Sequence, residues 1–185
     1  MSRVMEDSAA LEIDTPLGGL RLLASGPFLC GAWFLDQDDL ALPAREQATA
    51  DEAAVLSLAE AQLRQWFDGQ RRDFDLPLAP RGTVFQRAVW NGLLALPFGA
   101  TVSYGQLAQA IGRPRAIRPL AQAVGRNPLS IIIPCHRVIG YDTRLTGFGG
   151  GLKRKRALLS HEGHRYPGHS PRARRVCDGQ MDLPW

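Results

Sequence analysis

The sequence predicts an α+β protein whose two halves differ in charge and in hydrophobic pattern. Short alternating apolar runs separated by glycine turns fill the first part, which is typical of antiparallel strands. Helical periodicity interrupted by Gly and Pro dominates the second part. Residues 1–82 hold 7 basic and 14 acidic residues, a net charge of −7, whereas residues 83–165 hold 12 and 2, a net charge of +10. We therefore predict a small N-terminal α+β domain at 1–81, a helical domain at 82–165 and a disordered tail at 166–185, where no periodicity is present.

Three strands and a helix make up the predicted first domain. Residues 10–36 read as a meander of three short strands. A helix is predicted to begin at Asp51 or Glu52 and to end near Phe67, with apolar residues on one face. Residues 72–76 are predicted to form a further strand. The acidic residues of this half are scattered, so nothing here predicts a site.

The boundary between the two predicted domains lies within Pro77–Gly82, where two prolines and a glycine coincide with the change of charge. Thr83 is predicted to cap a helix. A short helix over 105–111 and a glycine turn follow, and Pro114 is suited to the first position of the next helix, which ends near Val124. Two short helices joined by such a turn fit a helix-turn-helix, although many helical hairpins bind nothing.

The second of these helices is predicted to carry Arg115 and Arg118. Together with the basic net charge of the domain, they favour a polyanionic partner, with nucleic acid as the first candidate. The alternative is a solvated basic face with no specific partner.

The three cysteines, Cys30, Cys135 and Cys177, are odd in number and far apart. This spacing argues against a disulfide framework and against a CxxC-type zinc site, and no metal is expected. Cys30 lies in a predicted strand and is interpreted as a core residue. The N-terminal residues are acidic where a signal peptide is apolar, and no run is long enough to span a bilayer. We expect a cytoplasmic protein, in a compartment that keeps thiols reduced.

The most informative segment is residues 131–140, with the sequence IIIPCHRVIG. Its β-branched residues predict a buried strand, and Pro134 predicts a tight turn that presents Cys135 beside His136. A thiol is a strong nucleophile only as the thiolate, and a neighbouring base is a usual way to form it. Adjacent side chains of a strand point to opposite faces, so the pair converges only if the backbone turns there or a water bridges it.

Other polar residues could support this thiol. Glu162, at the end of a final helix predicted over 152–162, is one of two acids in the basic domain and could orient His136. Asn127 could brace the cysteine turn through side-chain hydrogen bonds to the backbone. The alternatives are a surface glutamate, a helix-end asparagine and, for Tyr104, a half-buried aromatic residue.

Several motifs together resemble the methylated-DNA–protein-cysteine methyltransferases, also called O6-alkylguanine-DNA alkyltransferases. The motifs are PCHRVIG at 134–140, NP at 127–128, TVSYG at 101–105, LTGFGGGL at 145–152, LLSHEG at 158–163, and GTVFQ at 82–86 with VW at 89–90. The resemblance is close over residues 82–163 and covers the first half only in outline. It implies an α+β N-terminal domain followed by a winged helix-turn-helix domain.

The family resemblance implies direct DNA repair. The protein would bind duplex DNA through the minor groove and flip out the damaged base. It would then transfer the alkyl group irreversibly from O6-alkylguanine, or from O4-alkylthymine, to Cys135. Each molecule would act once, as a monomer and without a cofactor; cooperative binding along DNA stays open.

The resemblance also implies a role for each matching residue. Cys135 would accept the alkyl group, His136 would take the thiol proton through a water, and Glu162 would polarise His136. Asn127 would brace the cysteine turn, and Tyr104 would donate to N3 of the leaving guanine.

For DNA binding, the resemblance implies that Arg118 fills the gap left by the flipped base. Arg113 and Arg115 are expected to contact DNA beside it. Pro119 directly after Arg118 is unusual inside a helix, which makes the position of Arg118 depend on where the helix begins.

Four residues are expected to line the alkyl pocket: Val138, Phe148, Gly149 and Ser130. Phe148 and Gly149 stand where some members of the family carry Tyr and Ser, and Ser130 stands where others carry Pro. These departures leave the range of accepted adducts open.

Three other functions were considered. A damage-binding relative would lack the cysteine, and Cys135 is present. A transcription regulator would need an effector domain, which the sequence does not suggest. A Cys–His hydrolase would need an oxyanion hole and gives no reason for the charge asymmetry.

Overall fold

The structure, a computed structural model, describes residues 8–37, 45 and 47–167. It divides into two compact units. The first contains the described residues up to Arg81 together with Pro128–Ile132, and the second contains Gly82–Asn127 and the described residues from Ile133 to Pro167. Over the described part of the chain, no helix has the length and hydropathy that a membrane span needs.

The first unit is built on the predicted meander. Strands β1 (Ala9–Ile13), β2 (Leu20–Ser25) and β3 (Phe28–Phe34) pair antiparallel in chain order. Their apolar side chains are buried on the face that helix α1 covers. The meander prediction for residues 10–36 is therefore confirmed.

Helix α1 (Ala50–Phe67) begins one residue before the predicted start because Thr49 caps it. The Thr49 side chain accepts from the Glu52 N–H, and the Glu52 carboxylate accepts from the Thr49 N–H at 2.8 Å, which satisfies two helix-end donors reciprocally. The same carboxylate accepts from Arg45 at 2.6 Å. These bonds explain why a glutamate that is 1% exposed is tolerated in this position.

The strand predicted at 72–76 is wrong. The side-chain amide of Gln62 binds the backbone of Asp75 in both directions, donating to its carbonyl at 2.7 Å and accepting from its N–H at 2.8 Å. The Gln62 side chain thus makes the backbone hydrogen bonds that a neighbouring strand would otherwise have made. Shortly after this segment, Leu78 makes a strand-like bridge with Leu29.

The second unit contains five helices, counting a one-turn 3₁₀ helix, and a two-stranded sheet within its described residues. The elements are α2 (Val84–Leu94), β4 (Val102–Ser103), α3 (Tyr104–Ala110), α4 (Ile117–Gly125), the 3₁₀ helix (Cys135–Arg137), β5 (Val138–Ile139) and α5 (Leu152–His161). Strands β4 and β5 are parallel. The Trp90 indole N–H donates to the Ala123 carbonyl at 2.9 Å and so ties α2 to α4. Thr83 caps α2 as predicted.

Helix α4 begins later than predicted. Pro114 lies in the preceding turn, and Arg115 precedes the helix instead of lying on it. The start at Ile117 makes Pro119 the third residue of α4. The first turn of a helix has backbone N–H groups with no partner inside the helix, so a proline costs little there. Arg118 is accordingly the second residue of α4.

The strand predicted at 131–133 is also wrong. These residues form successive turns, and Ile131 has a positive φ of 73°. The only strand-like pairing nearby in the described chain is earlier, where Leu129 bridges Ala32 and the Ser130 N–H donates to the Ala32 carbonyl at 2.8 Å. The isoleucines are buried, and an apolar run alone does not distinguish a buried strand from buried turns.

The packing of the second unit extends past the boundary predicted at residue 165. Tyr166 is 8% exposed and lies in a cluster with Ile139, Leu145 and Leu159. The start of the predicted tail is therefore too early. Residues 168–185 lie outside the described residues.

Candidate active site

Cys135 is the first residue of the 3₁₀ helix that follows Pro134, and it is 7% exposed. Its N–H donates to the Ile133 carbonyl at 2.8 Å. The Asn127 amide donates to the same carbonyl at 2.8 Å and to the Cys135 sulfur at 3.0 Å. Asn127 therefore fixes both the turn and the position of the sulfur atom.

The surroundings of Cys135 act on its thiol in opposite directions. Burial raises the pKa of the thiol above its ordinary value, whereas the Asn127 hydrogen bond and the positive charge of Lys155 lower it. Because burial prevails, the thiol holds its proton at rest. A base must then remove that proton as the sulfur reacts.

His136, with no exposed surface, places its Nε2 atom 3.0 Å from Oε1 of Glu162. An ionised carboxylate only accepts hydrogen bonds, so Nε2 carries the proton and Nδ1 is the basic nitrogen. Burial lowers the pKa of His136; Glu162 opposes this effect, and the charges of Arg137 and Lys155 add to it. The imidazole is thus neutral at neutral pH and able to accept a proton.

The Glu162 carboxylate is held by more than His136. The Arg137 Nε atom lies 3.1 and 3.0 Å from its two oxygens and Nη2 lies 2.8 Å from Oε1, while the Gly99 N–H donates to Oε2 at 3.2 Å. Arg137 also donates to the Leu96 carbonyl. Burial alone would raise the pKa of the Glu162 carboxyl, but the bonds and charges of His136 and Arg137 lower it to about 2.

Arg137 was missed by the sequence analysis. It follows His136 directly in the motif PCHRVIG, and it is 5% exposed. A signal was available in the same sequence. A carboxylate that orients a buried imidazole needs a cation beside it, and Arg137 is adjacent to His136 in the chain.

Lys155 was missed as well. It lies on α5 without exposed surface, and its ammonium group donates to the carbonyls of Val138 and Thr146, both at 2.5 Å, and of Gly147 at 3.2 Å. Burial lowers its pKa to about 8, an effect that the nearby Cys135 opposes. Lys155 is the third residue of the basic run KRKR at 153–156. The informative sign was helical spacing, because residue 155 shares a face with the apolar residues 158 and 159.

Tyr104, the first residue of α3, has a half-buried side chain. Thr146, in the glycine-rich loop at residues 145–151, donates a hydrogen bond to the Tyr104 hydroxyl oxygen at 3.5 Å. A Cβ atom added to Gly147 would lie 3.8 Å from that oxygen. Tyr104 therefore lies against the loop that the Lys155 ammonium group also holds.

The predicted pocket residues are only partly brought together. Val138 follows the 3₁₀ helix with a carbonyl that accepts from Lys155. Phe148 is half-buried and Gly149 is exposed in the glycine-rich loop. Ser130 belongs to the first unit, where its N–H pairs with Ala32.

The predicted DNA contacts lie in the helix-turn-helix. Arg113, Arg115 and Arg118 are all exposed in the turn before α4 and in its first turn. Ile117, 46% exposed, lies beside Arg118. The start of α4 thus presents charged and apolar side chains together.

Fold and site together define a two-domain α+β protein whose second domain combines a helix-turn-helix with a buried cysteine. Comparison with family models agrees with this class. Residues 84–164 match the DNA-binding domain of 6-O-methylguanine DNA methyltransferase, and residues 12–80 match the ribonuclease-like domain of the same family. The chain belongs to the 6-O-methylguanine DNA methyltransferase family, so the resemblance found in the sequence motifs is confirmed.

Several relatives of known name are similar over most of the chain. The methylated-DNA–protein-cysteine methyltransferase of Mycobacterium tuberculosis is 47% identical over 155 residues, which cover 84% of this chain and 92% of the relative. That of Haemophilus influenzae is 40% identical over 149 residues, covering 80% and 82%. A crystal structure of the M. tuberculosis protein in complex with DNA has a TM-score of 0.73 and 44% identity, with 82% of this chain and 90% of that one covered.

Proposed function

We propose that this protein repairs DNA by transferring the methyl group of O6-methylguanine to the sulfur of Cys135. The observation that carries the proposal is the buried Cys135 thiol, held by Asn127 within a positively charged unit that also contains a helix-turn-helix. Family membership and the names of the relatives support the same activity.

In the proposed reaction, the Cys135 sulfur attacks the methyl carbon and the bond between that carbon and guanine O6 breaks. The thiol proton passes through a water to Nδ1 of His136, while Glu162 stabilises the imidazolium that forms. The electron pair of the broken bond stays on guanine, and the proton finally returns to that base, helped by donation from Tyr104. The products are a thioether and an unmodified guanine. A thioether is not hydrolysed under mild conditions, so each molecule reacts once.

Access to the thiol requires the damaged base to leave the duplex. Because Cys135 is only 7% exposed, a base stacked inside DNA does not reach its sulfur. Extrusion costs a few kcal/mol of stacking and pairing, which contacts to the DNA backbone and a side chain inserted into the gap can offset. We propose that Arg118 is this side chain and that the protein approaches from the minor groove.

The basic charge of the second unit supports binding to double-stranded DNA through the phosphates. Arg113 and Arg115 would contribute by their exposed position before α4. The protein is proposed to act as a monomer. It works where the chromosomal DNA lies, in the cytoplasm. O4-methylthymine presents a methyl carbon of the same kind and is a second proposed substrate.

The test is intact-mass spectrometry after incubation with duplex DNA containing O6-methylguanine. We expect a single gain equal to one CH₂ group, localised to the Cys135 peptide and absent with undamaged DNA. The Cys30→Ser variant, which lacks the other described buried cysteine, should still gain the mass, and Cys135→Ser should not. Binding of the lesion without a mass gain would instead indicate a damage-binding protein. A duplex with O4-methylthymine tests the second substrate.

The proposed role of Arg118 gives a separate prediction. Arg118→Ala should slow transfer from duplex DNA by about tenfold or more, because nothing then fills the gap left by the flipped base. Reaction with the free base O6-methylguanine should be unchanged. Arg126→Ala, which removes an exposed charge near the other end of α4, is the matched control for phosphate binding. Equal losses on both substrates would contradict the role in base flipping.

A further inference from the structure

We propose that Arg137 is a positioning residue that holds Glu162 toward His136 and limits how strongly His136 binds a proton. The inference rests on the proposed function, because it concerns the base of that reaction. It assigns a task to a residue that neither the motif-based roles nor the mechanism above uses.

The geometry gives Arg137 control over the orientation of Glu162. Its guanidinium makes three contacts of 2.8–3.1 Å with the carboxylate, including one to each oxygen. The guanidinium is itself fixed by donation to the Leu96 carbonyl and lies 6.0 Å from the centre of the Phe98 ring. The fork of an arginine fixes the plane of a carboxylate, which a lysine ammonium does not do. Oε1 is thereby held 3.0 Å from Nε2 of His136.

The charges around His136 show why the positive charge of Arg137 affects how strongly His136 binds a proton. Glu162 at the end of α5 is the negative group that faces the imidazole. The positive groups are Arg137, from the 3₁₀ helix that contains His136, and Lys155, from α5. The Cys135 thiol belongs to the residue directly before His136 in the chain. From the segment between α2 and β4, backbone groups of Leu96 and Gly99 complete the network. His161 packs edge-on against the Phe98 ring, with 6.2 Å between ring centres.

An unopposed buried carboxylate would hold a proton on His136 and leave a poor base. Arg137 neutralises much of that negative charge, so the imidazole keeps its Nδ1 lone pair at neutral pH. The Glu162 bond still orients the ring and still stabilises the imidazolium when it forms. Arg137 therefore keeps His136 unprotonated and able to act as a base, while the Glu162 hydrogen bond still fixes the orientation of the ring.

The experiment measures His136 directly and then its effect on the reaction. The titration of the His136 ring nitrogens by ¹⁵N NMR in the full chain should have its midpoint below the ordinary value of about 6.5. In Arg137→Met the midpoint should rise by about one pH unit, and the acid side of the methyl-transfer rate profile should move with it. The rate there would then be about tenfold lower. Arg137→Lys should keep the midpoint and lower the rate at all pH values, because the charge is retained and the fork is lost.

Leu63→Ala, a core substitution in helix α1 of the first unit, controls for loss of stability. It should change neither the midpoint nor the shape of the pH profile. A wild-type midpoint at or above about 6.5 would overturn the proposal, even if Arg137→Met did not fold. So would a folded Arg137→Met protein with an unchanged midpoint. Failure of the proposed function has a different signature, since the wild type would then show no methyl transfer while His136 still titrates as described.

Discussion

Replacing Glu162 by Gln should destabilise the protein strongly at neutral pH and progressively less in acid. The substitution keeps the shape of the side chain and removes its charge. Arg137, 5% exposed and bound to the carboxylate through three contacts, would lose its counter-ion while staying buried. His136 would face a neutral amide, which accepts through its oxygen more weakly than the carboxylate does and carries an NH₂ group that can donate instead, so its tautomer would no longer be fixed.

The same loss of unfolding free energy for Glu162→Gln follows from two independent arguments. Lowering the carboxyl pKa from 4.5 to about 2 corresponds to ~3 kcal/mol of folding free energy at neutral pH. Removing one partner of a buried ion pair typically costs ~3–5 kcal/mol. Because the folded-state pKa is depressed, this stabilisation is complete above the unfolded pKa and is lost as the pH falls from about 4.5 through about 2.

Urea denaturation of wild type and Glu162→Gln between pH 7 and pH 2 measures both quantities. The difference in unfolding free energy should be ~3 kcal/mol at pH 7 and should shrink between pH 4.5 and pH 2. Glu60→Gln is the matched control, since its ion pair with Arg64 is exposed and should contribute below ~0.5 kcal/mol. A difference under ~1 kcal/mol at pH 7 would refute the reasoning. Replacing both partners, as Arg137→Met with Glu162→Leu, should recover much of the loss.

Two further substitutions follow from the same structure. The folded-state pKa of Lys155 is lowered to about 8 while the unfolded chain holds this proton up to about 10.5, so the unfolding free energy of the wild type should rise by up to ~3 kcal/mol between these pH values. Lys155→Met should remove this rise, and urea denaturation at pH 7 and pH 10 measures it. Lys153→Met, at an exposed position, should leave the rise intact. Trp90→Phe should cost ~1 kcal/mol in the same assay through the lost hydrogen bond to Ala123, and no loss at all would show that this bond does not tie α2 to α4.

Local patterns in the sequence predicted the elements whose stability is local. Helical periodicity of the apolar residues predicted α1, and the capping residue Thr83 predicted the start of α2. Both signals lie within a few neighbouring residues of the sequence. The apolar run 131–133 and the residues 72–76 were misread as strands. Each segment has its hydrogen-bond partners elsewhere in the chain, and no local pattern reveals them.

The same division applies to the candidate site. Cys135 and His136 are adjacent, so the sequence alone draws attention to them. Glu162 could be nominated because acids are rare in the basic half of the chain. Arg137 and Lys155 were missed because their partners, a carboxylate 25 residues away and the carbonyls of a loop, are set by tertiary packing.

The path of the chain through residues 128–132 has a practical consequence for anyone who shortens this protein. A cut after Arg81 looks clean in the sequence, yet Pro128–Ile132 pack with the first unit, where Pro128 and Ser130 each share a backbone hydrogen bond of 2.8 Å with Ala32. A fragment starting at Gly82 would keep Pro128 and Ser130 without their backbone partner Ala32, and this segment ends three residues before the nucleophile. Because the lost bonds lie so near Cys135 in the chain, a truncated protein should lose reactivity before it loses its helices.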